Sequence, residues 1–114
     1  LSAEAEGKFK AMIMLKRKDG ISREDFGKWW LTQHKELAMK LPGIRKYAVN
    51  LVNVEEGEAE PMYDGVAELW FDRKEDLLAA YDTDAGAAVA RDSLAQVCKR
   101  DRLLTTEFVW EPEE

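Results

Sequence analysis

The segment from Lys8 to Lys16 constrains the fold more than any other part of the chain, because it is apolar on both faces of a strand. Alternate side chains of a strand point to opposite faces, and one face here carries Phe9, Ala11, Ile13 and Leu15. Met12 and Met14 make the middle of the other face apolar as well. Such a strand needs cover on both sides, so we expect it to be a central strand of a sheet.

Residues 22–41 show the pattern of an amphipathic helix that follows this strand. Ser22 is a favourable N-cap residue, and Asp25 three positions later gives a pattern like a capping box. At about 100° per residue, one side of the helix collects Phe26, Trp30, Gln33, Leu37 and Leu41. Pro42 and Gly43 are expected to end the helix, because proline lacks an N–H and glycine tolerates a left-handed backbone.

His34 is the single histidine of the chain and lies beside this apolar stripe. Helical geometry places it about 60° from the centre of the stripe, on the border between buried and exposed positions. The residues alone leave two interpretations open. His34 is either a structural or surface residue, or a proton-transfer group whose ordinary pKa lies near neutrality.

The remaining pattern predicts three further strands and a broken helical segment. Strands are expected over 44–54, 66–71 and 102–110, a short helix capped by Asp72, and a helix of small residues over 85–97. The order β-α-β-β-α-β predicts an α+β, ferredoxin-like fold with a four-stranded antiparallel sheet and helices on one face. Since the strands are apolar on both faces, we expect a second subunit to cover the other face and to close a dimeric α+β barrel.

Glu68 lies in the middle of the third predicted strand, between the apolar residues Ala67 and Leu69. A carboxylate in this position needs water, a partner or a cavity. Two interpretations stay open: Glu68 pairs with a cation or water on an open face of the sheet, or it points into a pocket.

The 114 residues are expected to form a single domain over residues 1–114, with a structured core at 8–110. The net charge of −6 is uneven, because residues 1–54 carry eleven Lys and Arg against six Asp and Glu, whereas residues 55–114 carry six against seventeen. The basic residues are scattered and show no aromatic–basic motif, so nucleic acid is not an expected partner. Complementary charge within the fold or between subunits is expected instead.

Several classes of site and location are disfavoured by what the sequence contains. No apolar run approaches the roughly 18 residues of a membrane span, so no membrane contact is expected. One histidine without clustered acids supplies too few metal ligands, and no glycine-rich phosphate loop is present, so we expect neither a metal nor another cofactor. The lone Cys98 excludes an internal disulfide and fits a reducing compartment, which favours the cytoplasm.

Four parts of the chain together resemble one known family. They are Phe9–Arg17, Ser22–Phe26 with Trp30 and His34, Leu41–Ile44 with Tyr47, and Tyr63–Phe71. This combination resembles the EthD-like family of dimeric α+β barrels, named for a protein of ethyl tert-butyl ether degradation, over residues 8–110. The helical histidine, the Leu-Pro-Gly turn and the Asp-Gly-Val-Ala-Glu-Leu-Trp-Phe strand are the specific part of the match.

The resemblance implies a homodimer with a cavity for a small hydrophobic or aromatic molecule. Members of the superfamily include muconolactone-type isomerases, cofactor-free monooxygenases and proteins without proven activity, so the fold leaves the chemistry open. We expect a cofactor-independent oxidoreductase or isomerase of small-molecule catabolism, and the alternative is a non-catalytic accessory protein that binds a hydrophobic molecule. The expected site has His34 as proton-transfer residue, Glu68 as its partner, and an aromatic pocket wall of Trp30, Tyr47 and Trp70.

Overall fold

Four strands and three helical regions follow one another in the predicted β-α-β-β-α-β order. A computed structural model of the protein describes residues 7–113. Its elements are β1 (Lys8–Arg17), α1 (Arg23–Trp29), a π-helical turn (Trp30–His34), α2 (Lys35–Ala38), β2 (Lys46–Leu51), β3 (Gly65–Trp70), α3 (Lys74–Tyr81), α4 (Asp84–Gln96) and β4 (Val97–Glu107). No helix within the described range is both long enough and apolar enough to cross a membrane.

The sheet is antiparallel throughout and has the order β2-β3-β1-β4. Strand β1 is central, as its two apolar faces predict, and lies between β3 and β4. Its register places Met12 opposite Glu68 of β3 and Leu103 of β4. This order and connectivity confirm the ferredoxin-like α+β fold.

The core lies between the helices and one face of the sheet. On that face the buried residues of β1 alternate with half-buried ones, and Ala11, Ile13 and Leu15 are the buried set. Strand β3 contributes Ala67 and Leu69 to the same layer. Below, "open face" denotes the opposite side of the sheet, which carries Lys10, Met12, Met14, Val66, Glu68, Trp70, Leu103 and Glu107.

The first helical region begins as predicted but does not continue as a regular helix. The Ser22 hydroxyl accepts a hydrogen bond from the backbone N–H of Asp25 at 3.1 Å, so the predicted N-cap is confirmed. Beyond Trp29 the backbone widens, and the N–H of Lys35 reaches the carbonyl of Trp30 five residues earlier. This π-helical turn rotates the residues that follow it around the helix axis. His34 is consequently buried, with 5% of its surface exposed, instead of lying at a border.

Two local predictions are wrong. Asp72 does not cap α3, because its carboxylate pairs with Arg45 at 2.8 Å and the N-cap position is Arg73, which makes no capping bond. Strand β4 begins at Val97 rather than at residue 102, directly after α4 and without a connecting loop. The residues before position 97 have a helix-forming composition, so their pattern does not indicate that a strand begins at Val97.

Ion pairs join the basic and acidic halves of the chain, which confirms the expected charge complementarity. On the open face, Lys10 pairs with both Glu68 and Glu107. At one end of β1, Arg17 pairs with the buried Asp64. Within residues 7–113, five of the eleven cations of the first half pair with carboxylates of the second half.

We expect Gly65→Ala to lower the free energy of unfolding by about 1–3 kcal/mol, because the position has no room for a methyl group. A Cβ at Gly65 would lie 2.5 Å from Cζ3 of Trp30 and 2.7 Å from the backbone oxygen of Asn50. Urea denaturation of the variant and the wild type measures the difference.

Gly27→Ala is the matched control for this measurement. A Cβ at Gly27 would make an ordinary contact of 3.5 Å with Leu51, within a helix where alanine is favoured over glycine. Its stability should be unchanged or raised by about 0.5–1 kcal/mol. Equal destabilisation of the two variants would contradict the close packing of Trp30 on β3.

Candidate functional site

The buried imidazole of His34 is held by a carboxylate from another helix. Its Nδ1 lies 2.9 Å from Oδ2 of Asp92 on α4, and both side chains are at least nine-tenths buried. The same carboxylate accepts hydrogen bonds from Trp29 Nε1, at 3.0 Å, and from Gln33 Nε2. Asp92 therefore joins the first helical region to α4.

The π-helical turn makes this arrangement possible. In a regular helix, residues three or four apart share a face, so Trp29 and Gln33 face Asp92 together. His34 is five residues after Trp29 and shares that face only because the turn is wider. The result is a close contact between the Trp29 and His34 rings, whose centroids are 4.6 Å apart and whose planes are tilted by 34°.

The hydrogen bonds define the tautomer of His34. Asp92 accepts two N–H groups and is a carboxylate, so Nδ1 of His34 carries the hydrogen that it donates to Asp92. Burial lowers the pKa of His34 below 6.5, and this outweighs the Asp92 carboxylate, which raises the pKa. His34 is therefore neutral near neutral pH, and its Nε2 is available to accept a proton.

A small cavity of about 20 Å³ lies beside His34, between the helices and the sheet. This volume holds about one water molecule. Its apolar wall consists of Ile13, Leu15, Trp30, Ala38, Ala67, Leu69, Val89 and Ala90. Its polar groups belong to His34, Tyr47, Tyr81, Ser93 and Arg100.

Tyr47 supplies a proton donor to this cavity. Its hydroxyl oxygen accepts a hydrogen bond from Trp30 Nε1 at 3.0 Å, which leaves the hydroxyl hydrogen free to donate. Burial raises the pKa of Tyr47 to about 12, so the phenol stays protonated at neutral pH. The cavity thus combines a neutral base, His34, with a neutral acid, Tyr47.

Three of the five predicted site residues meet at this cavity, and two do not. His34, Trp30 and Tyr47 all line it. Glu68 is not the partner of His34, because it alternates with the buried Ala67 and Leu69 and therefore points to the open face.

On the open face, Glu68 pairs with Lys10 and accepts a hydrogen bond from Asn50 at 2.8 Å. These contacts lower the pKa of Glu68 below 4.5, chiefly through Lys10. Trp70 also belongs to the open face, where its Nε1 donates to Glu107 at 2.9 Å and Lys46 lies over its ring. The register of β3 places Glu68 and Trp70 on the open face, so neither residue lines the cavity that contains His34, contrary to the prediction.

Asp92 is a residue of the candidate site that the sequence prediction missed. Its only signal was a carboxylate near the C-terminal end of a helix of small residues, where the helix dipole disfavours negative charge. A partner 58 residues away in the chain gives no local pattern. Within residues 7–113, no group of three or more His, Cys, Asp or Glu side chains is placed to hold a metal ion.

Comparisons with known proteins agree with this fold. The model of the EthD domain family matches residues 18–96 of the chain. An EthD family protein from Bacillus halodurans superposes with a TM-score of 0.67 at 25% identity, covering 92% of this chain and 99% of that one. No curated protein matches the chain by sequence.

Two more distant solved structures share the fold. A dimeric ferredoxin-like protein from Thermobifida fusca superposes with a TM-score of 0.67 at 16% identity, covering 90% of this chain and 92% of that one. SnoaB, a cofactor-independent oxygenase from Streptomyces nogalater, superposes with a TM-score of 0.59 at 15% identity, covering 96% of this chain and 99% of that one.

We expect Asp92→Asn to lower the pKa of His34 further, because the carboxylate that favours the imidazolium is lost. An NMR titration of the imidazole protons measures this pKa without ambiguity, since the chain has one histidine. Asp84→Asn removes an exposed carboxylate from the first turn of the same helix and should leave the pKa of His34 unchanged. An unchanged pKa in Asp92→Asn would show that the two side chains do not interact in solution.

Proposed function

Because the chain belongs to the EthD domain family, we propose that it is a cofactor-independent enzyme of small-molecule catabolism that acts on a small hydrophobic or aromatic compound. The observation that carries this proposal is the buried His34–Asp92 pair, whose imidazole lines a cavity with a mostly apolar wall. The lone Cys98 supports a cytoplasmic location.

The proposed first step is a proton transfer from the substrate to Nε2 of His34. Asp92 stabilises the imidazolium that forms, because it already holds the Nδ1 hydrogen. The hydroxyl of Tyr47 donates a hydrogen bond to the oxygen on which the substrate's negative charge develops. A positioned histidine typically accelerates such a step by about 10²–10⁴-fold.

Two reaction types share this first step. In an isomerase, the proton returns from His34 to a different atom of the substrate. In a monooxygenase-like oxidoreductase, molecular oxygen oxidises the ionised phenol or enol. One oxygen atom enters the product, and the other leaves as water with two hydrogens that the substrate loses. SnoaB supports the second type, because it is a cofactor-independent oxygenase with the same fold.

Substrate entry requires side chains at the cavity to move, since about 20 Å³ does not accommodate an aromatic ring. Arg100 is exposed and Tyr81 is half-buried, so these two lining side chains move at the least cost in lost packing. We expect the ligand to displace them and to contact Trp30 and Tyr47 behind them.

A second function, binding without chemistry, is supported by the mostly apolar wall of the cavity. Apart from His34, the polar groups that line it include no carboxylate and no thiol. An accessory protein that holds a hydrophobic intermediate for a partner enzyme needs no more than such a wall. A ligand that binds the wild type and remains chemically unchanged would favour this function.

We expect His34→Asn to reduce turnover by about 10²–10⁴-fold while thermal stability and ligand binding stay close to wild type. The asparagine amide can replace Nδ1 as a donor to Asp92 but has no equivalent of Nε2. A thermal-shift screen of small phenols, quinols and lactones identifies ligands, and product formation is then followed for each ligand.

Lys35→Gln is the matched control for this test, because Lys35 is the exposed neighbour of His34 and pairs only with Glu36. Its turnover should equal that of the wild type. Full turnover by His34→Asn would remove the proton-transfer role of His34.

The proposed enzyme is a homodimer that associates through the open face. Met12, Met14 and Val66 are only partly buried there, and Leu103 is 55% exposed. Lys10 is already paired with two carboxylates, so the face can be covered without leaving this charge unpaired. The Thermobifida fusca protein of the same fold is dimeric, which supports a dimer.

We expect Leu103→Lys to convert the dimer to a monomer, because it places an unpaired charge among the apolar side chains of the open face. Multi-angle light scattering after size exclusion measures the mass. Leu94→Lys, at a 66% exposed position on α4, makes the same substitution on the helical side and should leave the dimer intact. A dimeric Leu103→Lys protein would contradict assembly through the open face.

A further inference from the structure

Arg100 is the one arginine of residues 7–113 that both lines the cavity and forms no ion pair within that range. Four arginines form ion pairs with carboxylates within residues 7–113, namely Arg17, Arg23, Arg45 and Arg73. Arg91, Arg100 and Arg102 form none within the same range. Of these three, Arg100 alone lines the cavity that contains His34.

The register of β4 accounts for this position. Arg100 is opposite Leu15 of β1, which belongs to the sheet face that the helices cover. Strand β4 lies at the edge of the sheet, so its side chain on that face reaches the rim of the cavity and remains exposed. Arg100 and Ala90 of α4 are the exposed lining residues, and they mark the mouth of the cavity.

The polar groups that line this mouth are a cation and a neutral hydroxyl, and neither is anionic. Arg100 is permanently charged, and Tyr81 beside it has a hydroxyl whose pKa is raised by burial, so that it remains a neutral donor. The positive charge of Arg102 lowers the pKa of Tyr81, but by less than burial raises it. In a chain of net charge −6, this is a locally cationic entrance that leads to a neutral base.

We propose that Arg100 and Tyr81 form the anion-binding end of the His34 cavity, and that the ligand is an organic anion such as a carboxylate or an ionised phenol. This proposal rests on the proposed function and assigns the substrate class to the same site. The guanidinium pairs with the anionic oxygen, and the hydrogen to be transferred faces Nε2 of His34.

The geometry gives this pairing a chemical purpose. The anionic oxygen of the ligand loses its hydration when it enters the cavity, and a guanidinium with a hydroxyl donor beside it replaces the lost hydrogen bonds. Tyr47 remains the donor to the oxygen on which charge develops during proton transfer. An exposed arginine loses little packing when it turns outward, so the same side chain can open the cavity and then bind the ligand.

Benzoate and its neutral analogue benzamide test the proposal through the imidazole NMR signal of His34, at constant pH and ionic strength. We expect benzoate to shift this signal saturably and to bind at least about tenfold more tightly than benzamide. Arg100→Gln should weaken benzoate binding by about tenfold or more, and Arg100→Lys should recover part of the affinity because the charge is restored.

Arg91→Gln is the control for net charge, since Arg91 is exposed on α4 and does not line the cavity. Its affinity for benzoate should equal that of the wild type. Equal binding of the two probes, unaffected by Arg100→Gln, would overturn the anion site and leave the proposed pocket intact. No response of His34 to either probe would also overturn the anion site, whereas the His34→Asn turnover test decides the proposed function separately.

Discussion

The three hydrogen bonds that converge on the Asp92 carboxylate determine both the packing of the helices and the chemistry of the site. A buried carboxylate is costly unless donors replace its hydration, and here Trp29, Gln33 and His34 provide them. The same bonds attach the first helical region to α4 and select the tautomer that leaves Nε2 of His34 unprotonated. Loss of this one carboxylate would therefore disturb the fold and the base together.

The π-helical turn is the structural adjustment that this convergence requires. A regular helix would present Trp29 and Gln33 to Asp92 but would turn His34 away. The wider turn loses regular helical hydrogen bonds over residues 30–34. This loss is offset by the hydrogen bonds to the Asp92 carboxylate and by the contact between the Trp29 and His34 rings. Such turns are frequently found at functional sites, which agrees with the role proposed for His34.

The sequence predicted those features that depend on local periodicity. The alternation along β1 predicted its central position, and Ser22 predicted the start of the helix. The burial of His34 was not predicted, because the predicted position holds for a regular helix of about 100° per residue and residues 30–34 form a π-helical turn. Pairing of Glu68 with a cation on the open face was one of the two interpretations left open, and it is confirmed. Asp92 as the partner of His34 and Lys10 as the cation were not identified, because both contacts join residues far apart in the chain.

The direct passage from α4 into β4 has a mechanical consequence. Asp92, which raises the pKa of His34, and Arg100, which lowers it, lie on one stretch of backbone that has no connecting loop between Gln96 and Val97. A displacement of that stretch as a unit would move the backbone of both groups together. The backbone attachments of the two charges are therefore coupled, whereas the exposed Arg100 side chain can still turn by itself.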